Sequence, residues 1–91
     1  MKLRQFLRAA TKHERGELAV VCNDSIRYLY LLAGQHRYAS ALMATRIEHR
    51  TREVAQGTEG RLDVVPRETL VRHPEIFDRP GEGSASPGAE K

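Results

Sequence analysis

Residues 17–40, ELAVVCNDSIRYLYLLAGQHRYAS, decide the fold of this chain. A helical pattern runs up to Asn23-Asp24, and Asn ends helices in the left-handed conformation much as Gly does. Ser25 is then placed as the N-cap of another helix, and Gly34 is placed to end it. The pattern predicts helices over 12–22 and 25–33, with a turn of about three residues between them. Helices joined so tightly cannot lie antiparallel, so we expect a helix-turn-helix unit.

The residue types fit this unit position by position. Ala19 lies where the two helices approach closely and a small side chain is needed, and Asn23 lies at the turn position that needs a positive φ. Leu29 and Leu32, three residues apart, share the face that packs onto the preceding helix. The residues left on or near the outward side of helix 25–33 are Ser25, Ile26, Arg27, Tyr30 and Leu31.

Apolar spacing predicts two more helices, one on each side of this unit. The first covers residues 2–10, and the other covers about 40–54 behind a capping Ser40. Their expected inward residues are Leu3, Phe6, Leu7 and Ala10 in the first, and Leu42, Met43, Ile47 and Val54 in the second. Thr11 and Glu14 form a capping-box pattern that begins the helix over 12–22.

The C-terminal third is predicted in less regular pieces. RLDVV at 61–65 is predicted to be a short strand or an extended arm, and Pro66 suits the first turn of a fifth helix over 66–72. Ile76 and Phe77 are expected to return to the core. Residues 79–91, RPGEGSASPGAEK, have the composition of a disordered tail. We therefore predict an all-α, five-helix domain over residues 1–78, with or without a short C-terminal strand, and a tail over 79–91.

The net charge of +3 is distributed unevenly along the chain. Residues 1–56 hold ten Lys/Arg and five Asp/Glu, a net charge of +5, and residues 57–91 hold five and seven, a net charge of −2. A polyanion would therefore bind the first part of the chain, although a solvated basic surface is the common alternative.

Several classes of site are not expected. The four histidines have no metal-ligand spacing and there is one cysteine, so we predict no metal site. No catalytic triad, glycine-rich phosphate loop or acid pair stands out, so we predict no catalytic residues, no cofactor and no enzyme activity. The lone Cys22 fits a reduced, cytoplasmic setting. No run of 18 apolar residues is present, so no membrane span is expected.

Residues 17–40 also resemble the helix-turn-helix of small Cro-like, lambda-repressor-like proteins, most closely the YdaS-type group of phage and prophage regulators and antitoxins. The matching residues are Leu18-Ala19, Ser25, Tyr28-Leu29-Tyr30, Ala33-Gly34, His36-Arg37 and Ser40. ALMATRIEHRT and VVPRETLVRHPEIF extend the likeness to roughly residues 2–77. The resemblance implies a transcriptional regulator, as a rule a repressor, that binds double-stranded DNA. The chain departs from the pattern at Asp24, where an apolar residue is typical, and at Leu31, where Gln is common.

The predicted DNA-binding residues are Ser25, Ile26, Arg27, Tyr30, Leu31, Gln35, His36, Arg37 and Ser40. An α-helix fits the major groove, where Arg27 would donate two hydrogen bonds to guanine and Ile26 would contact a thymine methyl group. The polar members of the set are suited to phosphate contacts that fix the register, among them Ser40 with the free N–H groups of its helix.

One such domain contacts about half a turn of DNA, so we expect a homodimer on the operator. Segment 54–77 is the predicted dimer surface, in which RLDVV pairs with its two-fold mate and Ile76-Phe77 clasp across. The alternative is an antitoxin or another interaction module whose partner is a protein, such as a toxin or RNA polymerase. The outward apolar pair Ile26 and Leu31, together with Asp24, motivates that alternative.

Overall fold

The structure, a computed structural model, describes residues 1–77. Its four α-helices are α1 (Leu3–Ala9), α2 (Lys12–Ala19), α3 (Ile26–Ala33) and α4 (Ala41–Ala55). Three 3₁₀ turns cover Val20–Cys22, Arg67–Thr69 and Pro74–Phe77, and no strand forms within residues 1–77. The prediction of an all-α chain is confirmed for these residues, and the predicted tail over 79–91 lies outside them. None of the helices in this part is long and apolar enough to cross a bilayer.

The predicted N-caps explain where three of the helices begin. The Thr11 hydroxyl accepts a hydrogen bond from Glu14 N–H, and the Glu14 carboxylate accepts one from Thr11 N–H, which completes the capping box of α2. Ser25 and Ser40 accept from the N–H groups of Tyr28 and Met43, respectively. These bonds satisfy N–H groups that have no partner inside the helix. Each predicted start is therefore confirmed to within one residue.

The core lies where the four helices and the C-terminal segment meet. Its fully buried large side chains are Phe6, Leu18, Leu29, Ile47 and Val65, and burial of such side chains is the main stabilising contribution in a small domain. The prediction that Leu42 faces inward is wrong, since its side chain is 61 % exposed. The buried positions of α4 are Ala44, Ile47, Thr51 and Val54. They share one face of the helix, and Leu42 lies on the opposite face.

The C-terminal segment departs from the prediction because it follows the core rather than a regular pattern. The expected fifth helix over 66–72 is reduced to the 3₁₀ turn Arg67–Thr69, and Pro66 precedes that turn in an extended conformation. Consecutive side chains of Leu70 and Val71 are both buried, and the Leu70 carbonyl accepts a hydrogen bond from Ala39 N–H. A helix over 66–72 would point these two side chains in different directions.

Residues 61–65 form no strand and are an irregular segment attached to α4. Leu62 and Val65 are buried in the core, and Val65 N–H donates 2.9 Å to the hydroxyl of Thr51. Thr51 is fully buried and its hydroxyl donates in turn to the Glu48 carbonyl. Both buried polar groups are thereby satisfied, which a buried segment outside a helix or sheet requires.

An ion pair between Glu14 and Arg61 joins this segment to the corner between α1 and α2. The Arg61 guanidinium lies 2.6 Å from the Glu14 carboxylate and also donates to the Ala9 carbonyl. The hydrogen bond from Arg61, followed by the one from Thr11 N–H, lowers the pKa of Glu14 from 4.5 to about 2. Glu14 therefore serves both the capping box and the attachment of the C-terminal segment.

We predict that the Glu14–Arg61 pair makes the stability of the fold depend on pH in acid. Because the pKa of Glu14 is lower in the folded chain than in the unfolded chain, its contribution is fully present above pH about 4.5 and is lost as pH falls toward about 2. Urea unfolding between these pH values should show a steeper loss of stability for the wild type than for Glu14→Gln. Glu59→Gln, which removes an exposed carboxylate that forms no ion pair within residues 1–77, should keep the wild-type slope. Parallel curves for wild type and Glu14→Gln would contradict the prediction.

Candidate functional site

The turn between α2 and α3 is held by backbone hydrogen bonds. The 3₁₀ turn Val20–Cys22 prolongs α2, and Asn23 follows with φ 57°, which confirms its predicted left-handed conformation. Asp24 is also left-handed, with φ 61°. Its N–H donates 2.8 Å to the Ala19 carbonyl, a bond that closes the end of the helix. Because two residues with positive φ follow one another, the chain changes direction sharply and α3 begins at a fixed angle.

The helix α3 has one buried side and one exposed side. Leu29 and Leu32 are buried where α3 packs against α1 and α2. On the opposite side Ile26 is 38 % exposed, Tyr30 is 51 % exposed and Arg27 is exposed. Ser25 and Leu31 are half-buried at the edges of that side. The outward placement predicted for Ile26, Arg27 and Tyr30 is thus confirmed, and their contact with DNA stays a prediction.

Gly34 ends α3 for a reason other than the expected one. Its φ is −87°, and the left-handed residue is Gln35, with φ 61°. Gln35 and His36 donate their N–H groups to the carbonyls of Leu32 and Leu31, which closes the helix. A Cβ added at Gly34 would come within 2.8 Å of the His36 ring. The glycine therefore makes room for the imidazole of His36.

The other predicted site residues follow the end of α3. Gln35, His36, Arg37 and Ser40 are all exposed. The Ser40 hydroxyl accepts the capping bond of α4, so its O–H remains as a donor, and the same holds for Ser25. Burial raises the pKa of Tyr28, and the positive charge of Arg37 opposes that shift.

The arginines fall into a paired group and an unpaired group. Arg50, Arg52, Arg61 and Arg67 form ion pairs with carboxylates, and these join parts of α4, α2 and the C-terminal segment. Among residues 1–77, the Lys and Arg side chains with no carboxylate within 4.0 Å are Lys2, Arg4, Arg8, Lys12, Arg15, Arg27, Arg37, Arg46 and Arg72. All but the last two lie in α1, α2, α3 or the segments that flank them. The uncompensated positive charge is therefore concentrated around α3.

A cleft of about 570 Å³ lies between α1 and the C-terminal end of α3. It is lined by Arg4, Leu7, Arg8, Arg15, Tyr30, Ala33, Gly34 and His36. The structure thus brings Tyr30 and His36, both predicted site residues, beside three arginines that the prediction did not include. The positive charge of α1 was visible as a signal in the sequence, but no sequence pattern indicated that α1 packs against α3.

Two further kinds of site were considered for residues 1–77, a metal site and a reactive thiol. Within residues 1–77, no group of three or more His, Cys, Asp and Glu side chains is placed to hold a metal ion. Cys22 is buried and its Sγ lies 3.9 Å from Met43 Sδ. Burial raises the pKa of its thiol to about 11, so the thiol is protonated at neutral pH and serves as a small packing group.

A scan against family models, a search of curated proteins and a search of solved structures each find no match to this chain. The likeness to YdaS-type regulators therefore stays a prediction made from the sequence. What the chain does has to be inferred from the exposed helix α3 and from the charges around it.

We predict that Asn23 is needed for its tolerance of positive φ. Gly adopts this conformation freely, so Asn23→Gly should change the free energy of unfolding by no more than about 0.5 kcal/mol. A β-branched side chain is strained there, so Asn23→Val should cost about 1–2 kcal/mol. Urea unfolding of the three proteins measures both changes. An equal loss in the two variants would mean that the Asn23 side chain, rather than its backbone, holds the turn.

Proposed function

We propose that this chain is a sequence-specific DNA-binding regulator of transcription, and that it acts as a repressor. In this proposal α2, the turn and α3 form the helix-turn-helix unit of a Cro-like fold, and α3 enters the major groove. The observation that supports it most is the exposed side of α3, which follows the left-handed turn and is surrounded by cations that have no acidic partner within residues 1–77. DNA-binding surfaces are strongly positive in this way.

The exposed side of α3 offers groups for reading bases. Arg27 is exposed and has no carboxylate of residues 1–77 within 4.0 Å, so its guanidinium is free to donate two hydrogen bonds to the N7 and O6 atoms of a guanine. Ile26, at the N-terminal end of the helix, supplies an apolar contact for a thymine methyl group. The N-terminal residues of a recognition helix are the ones that reach base edges in known helix-turn-helix complexes.

The acidic Asp24 beside this face is offset by neighbouring cations. Asp24 borders a shallow surface depression together with Lys12, Arg15 and Ile26. Two positive charges therefore lie in the same depression as its single negative charge. Basic residues thus outnumber the acidic one around this depression, so Asp24 alone does not argue against binding.

The homodimer remains part of the proposal, but segment 54–77 is no longer proposed as its contact surface. The strand 61–65 that was predicted to pair across the two-fold axis is absent, and Leu62 and Val65 are buried in the chain's own core. Phe77 packs on that core beneath the Arg67 guanidinium, 4.3 Å from the ring centre, which leaves Ile76 as the exposed part of the predicted clasp. Two copies are still needed to cover an operator with two half-sites.

An antitoxin or other protein-binding module is the second candidate. The exposed Ile26 supports it, as do Val20 and Leu42, which are the most exposed large apolar side chains of residues 1–77. A partner held by apolar contacts would bind with little dependence on salt, whereas DNA binding releases counterions and weakens steeply as salt rises. The two candidates are therefore separated by one titration.

We predict that fluorescence anisotropy will show preferential binding to DNA from immediately upstream of the protein's own gene. Affinity for this duplex should exceed that for a scrambled duplex and should fall steeply between about 50 and about 200 mM salt. Arg27→Ala should cost about 1–3 kcal/mol of affinity for the upstream duplex and much less for the scrambled one. Arg52→Ala, on α4 and paired with Glu48, is the control and should bind as the wild type does. Weak and equal binding of the wild type to both duplexes would contradict the proposal.

We predict two copies of the chain on each operator duplex. Half-sites read by such helices lie about one helical turn apart, which a single domain does not span. Sedimentation of the complex formed at saturating protein should give the mass of two chains plus the duplex. A clean monomer, both free and on the upstream duplex, would exclude the homodimer.

A further inference from the structure

The cleft between α1 and the C-terminal end of α3 has the composition of an anion site. Three arginines, the Tyr30 ring and the His36 imidazole line it together with small or apolar groups, and among residues 1–77 no acidic side chain lines it. None of Arg4, Arg8 and Arg15 has a carboxylate of residues 1–77 within 4.0 Å. Clustered N–H and O–H donors of this kind suit the oxygens of a phosphate.

The Arg15 side chain of the cleft is held in place by hydrogen bonds to the backbone. Its guanidinium donates 2.7 Å to the Ala10 carbonyl and 3.4 Å to the Leu7 carbonyl at the end of α1. A ligand that binds here therefore has little side-chain entropy to remove from Arg15. The His36 ring lies beside Gly34, where a Cβ would come 2.8 Å from it, so the absence of a Cβ leaves room for the ring in the cleft.

Arg4 and Arg8 lie one turn apart on α1, a helix that contains no acidic residue. Like charges at this spacing repel each other and weaken a helix. Both side chains are exposed, so their charge is not needed for burial or for packing of the core. An anion placed between them would relieve the repulsion.

We propose that this cleft binds a phosphate group, and that the phosphate belongs to the DNA backbone beside the groove that α3 enters. The choice of DNA as the source rests on the proposed function. It is supported by Tyr30, which lines the cleft and is at the same time more exposed than Ile26 on the outward side of α3. A phosphodiester beside the major groove is thus the phosphate nearest to the cleft when α3 is docked.

Two double variants, each lacking two positive charges, test whether DNA affinity depends on where the charges lie or only on how many there are. Arg4→Gln/Arg8→Gln removes two charges from the cleft, and Arg46→Gln/Arg52→Gln removes two exposed charges from α4. The first should weaken binding to the upstream and scrambled duplexes alike, about tenfold, and should lower the slope of log K against log salt by about one to two. The second should change both much less. Equal effects of the two variants, or no effect of the first, would overturn the phosphate site while leaving the proposed function in place.

A third variant tests the placement of His36 without changing charge. The backbone of Gly34 has a negative φ that alanine adopts without strain, so Gly34→Ala should fold normally and displace the imidazole from the cleft. We expect a loss of affinity of about threefold on both duplexes, since one weak phosphate contact is lost. Wild-type affinity together with displaced His36 ring signals in NMR spectra would remove His36 from the proposed site.

Titration with inorganic phosphate distinguishes failure of this site from failure of the proposed function. The probe is the set of NMR signals from the Nε–H groups of Arg4, Arg8 and Arg15 and from the His36 ring. If the wild type binds neither duplex, saturable shifts of the Arg15 and His36 signals that disappear in Arg4→Gln/Arg8→Gln would support a site for a free phosphorylated ligand. Absence of such shifts, in a protein that also fails to bind DNA, would overturn the site. Urea unfolding at or above the wild-type midpoint shows that the double variant is folded.

Discussion

The left-handed turn at Asn23 and Asp24 is the constraint on which the rest of the structure depends. Two successive residues with positive φ are costly, and the turn persists because Asp24 N–H satisfies the Ala19 carbonyl and because Ala19 leaves room for the next helix. Once the direction of α3 is set, Leu29 and Leu32 enter the core and the opposite side of the helix is left to solvent. If a single helix continued straight through Asn23 and Asp24, residues 26–33 could not pack against α1 and α2 with one side buried and the other side exposed.

The charges of the chain divide between holding the fold together and remaining free. The pairs that include Arg61 and Arg67 attach the irregular C-terminal segment to α2 and α4, where there is neither helix nor sheet to hold it. The cations of α1, α2 and α3 have no such partners within residues 1–77. Adjacent like charges such as Arg4 and Arg8 reduce stability slightly, so a stability argument does not account for them. The proposed binding of a polyanion would account for them.

The features that could be predicted from the sequence depend on residues close together in the chain. The features that could not be predicted depend on contacts between distant segments. The caps at Thr11, Ser25 and Ser40 act within three residues of themselves, so their signals were sufficient to locate three helix starts. The inward side of α4 was partly misassigned because the polar Thr51 is buried to meet Val65 N–H, a contact across 14 residues that no periodicity contains. The predicted fifth helix failed for the same reason, since Leu70 and Val71 follow the shape of the core. The cleft arginines were missed because only the packing of α1 on α3 brings them to Tyr30 and His36.

The size of α3 bears on both proposed partners. Eight residues of helix are roughly 12 Å long, which is enough to enter one major groove and too short to reach the next one along the same face of the duplex. A specific operator, as proposed, therefore requires two copies of the domain. Contacts with the phosphates on either side of the groove would add to the limited affinity of each copy. For a protein partner the same helix offers Ile26 and Tyr30 as exposed apolar surface, with the exposed Arg27 on the same side of α3. Two side chains supply far less than the roughly 800 Å² per partner of a stable interface, so a protein partner would also have to cover other exposed apolar side chains, such as Val20 and Leu42. Such a contact would change little with salt, whereas the binding of arginines to DNA phosphates would weaken steeply as salt rises.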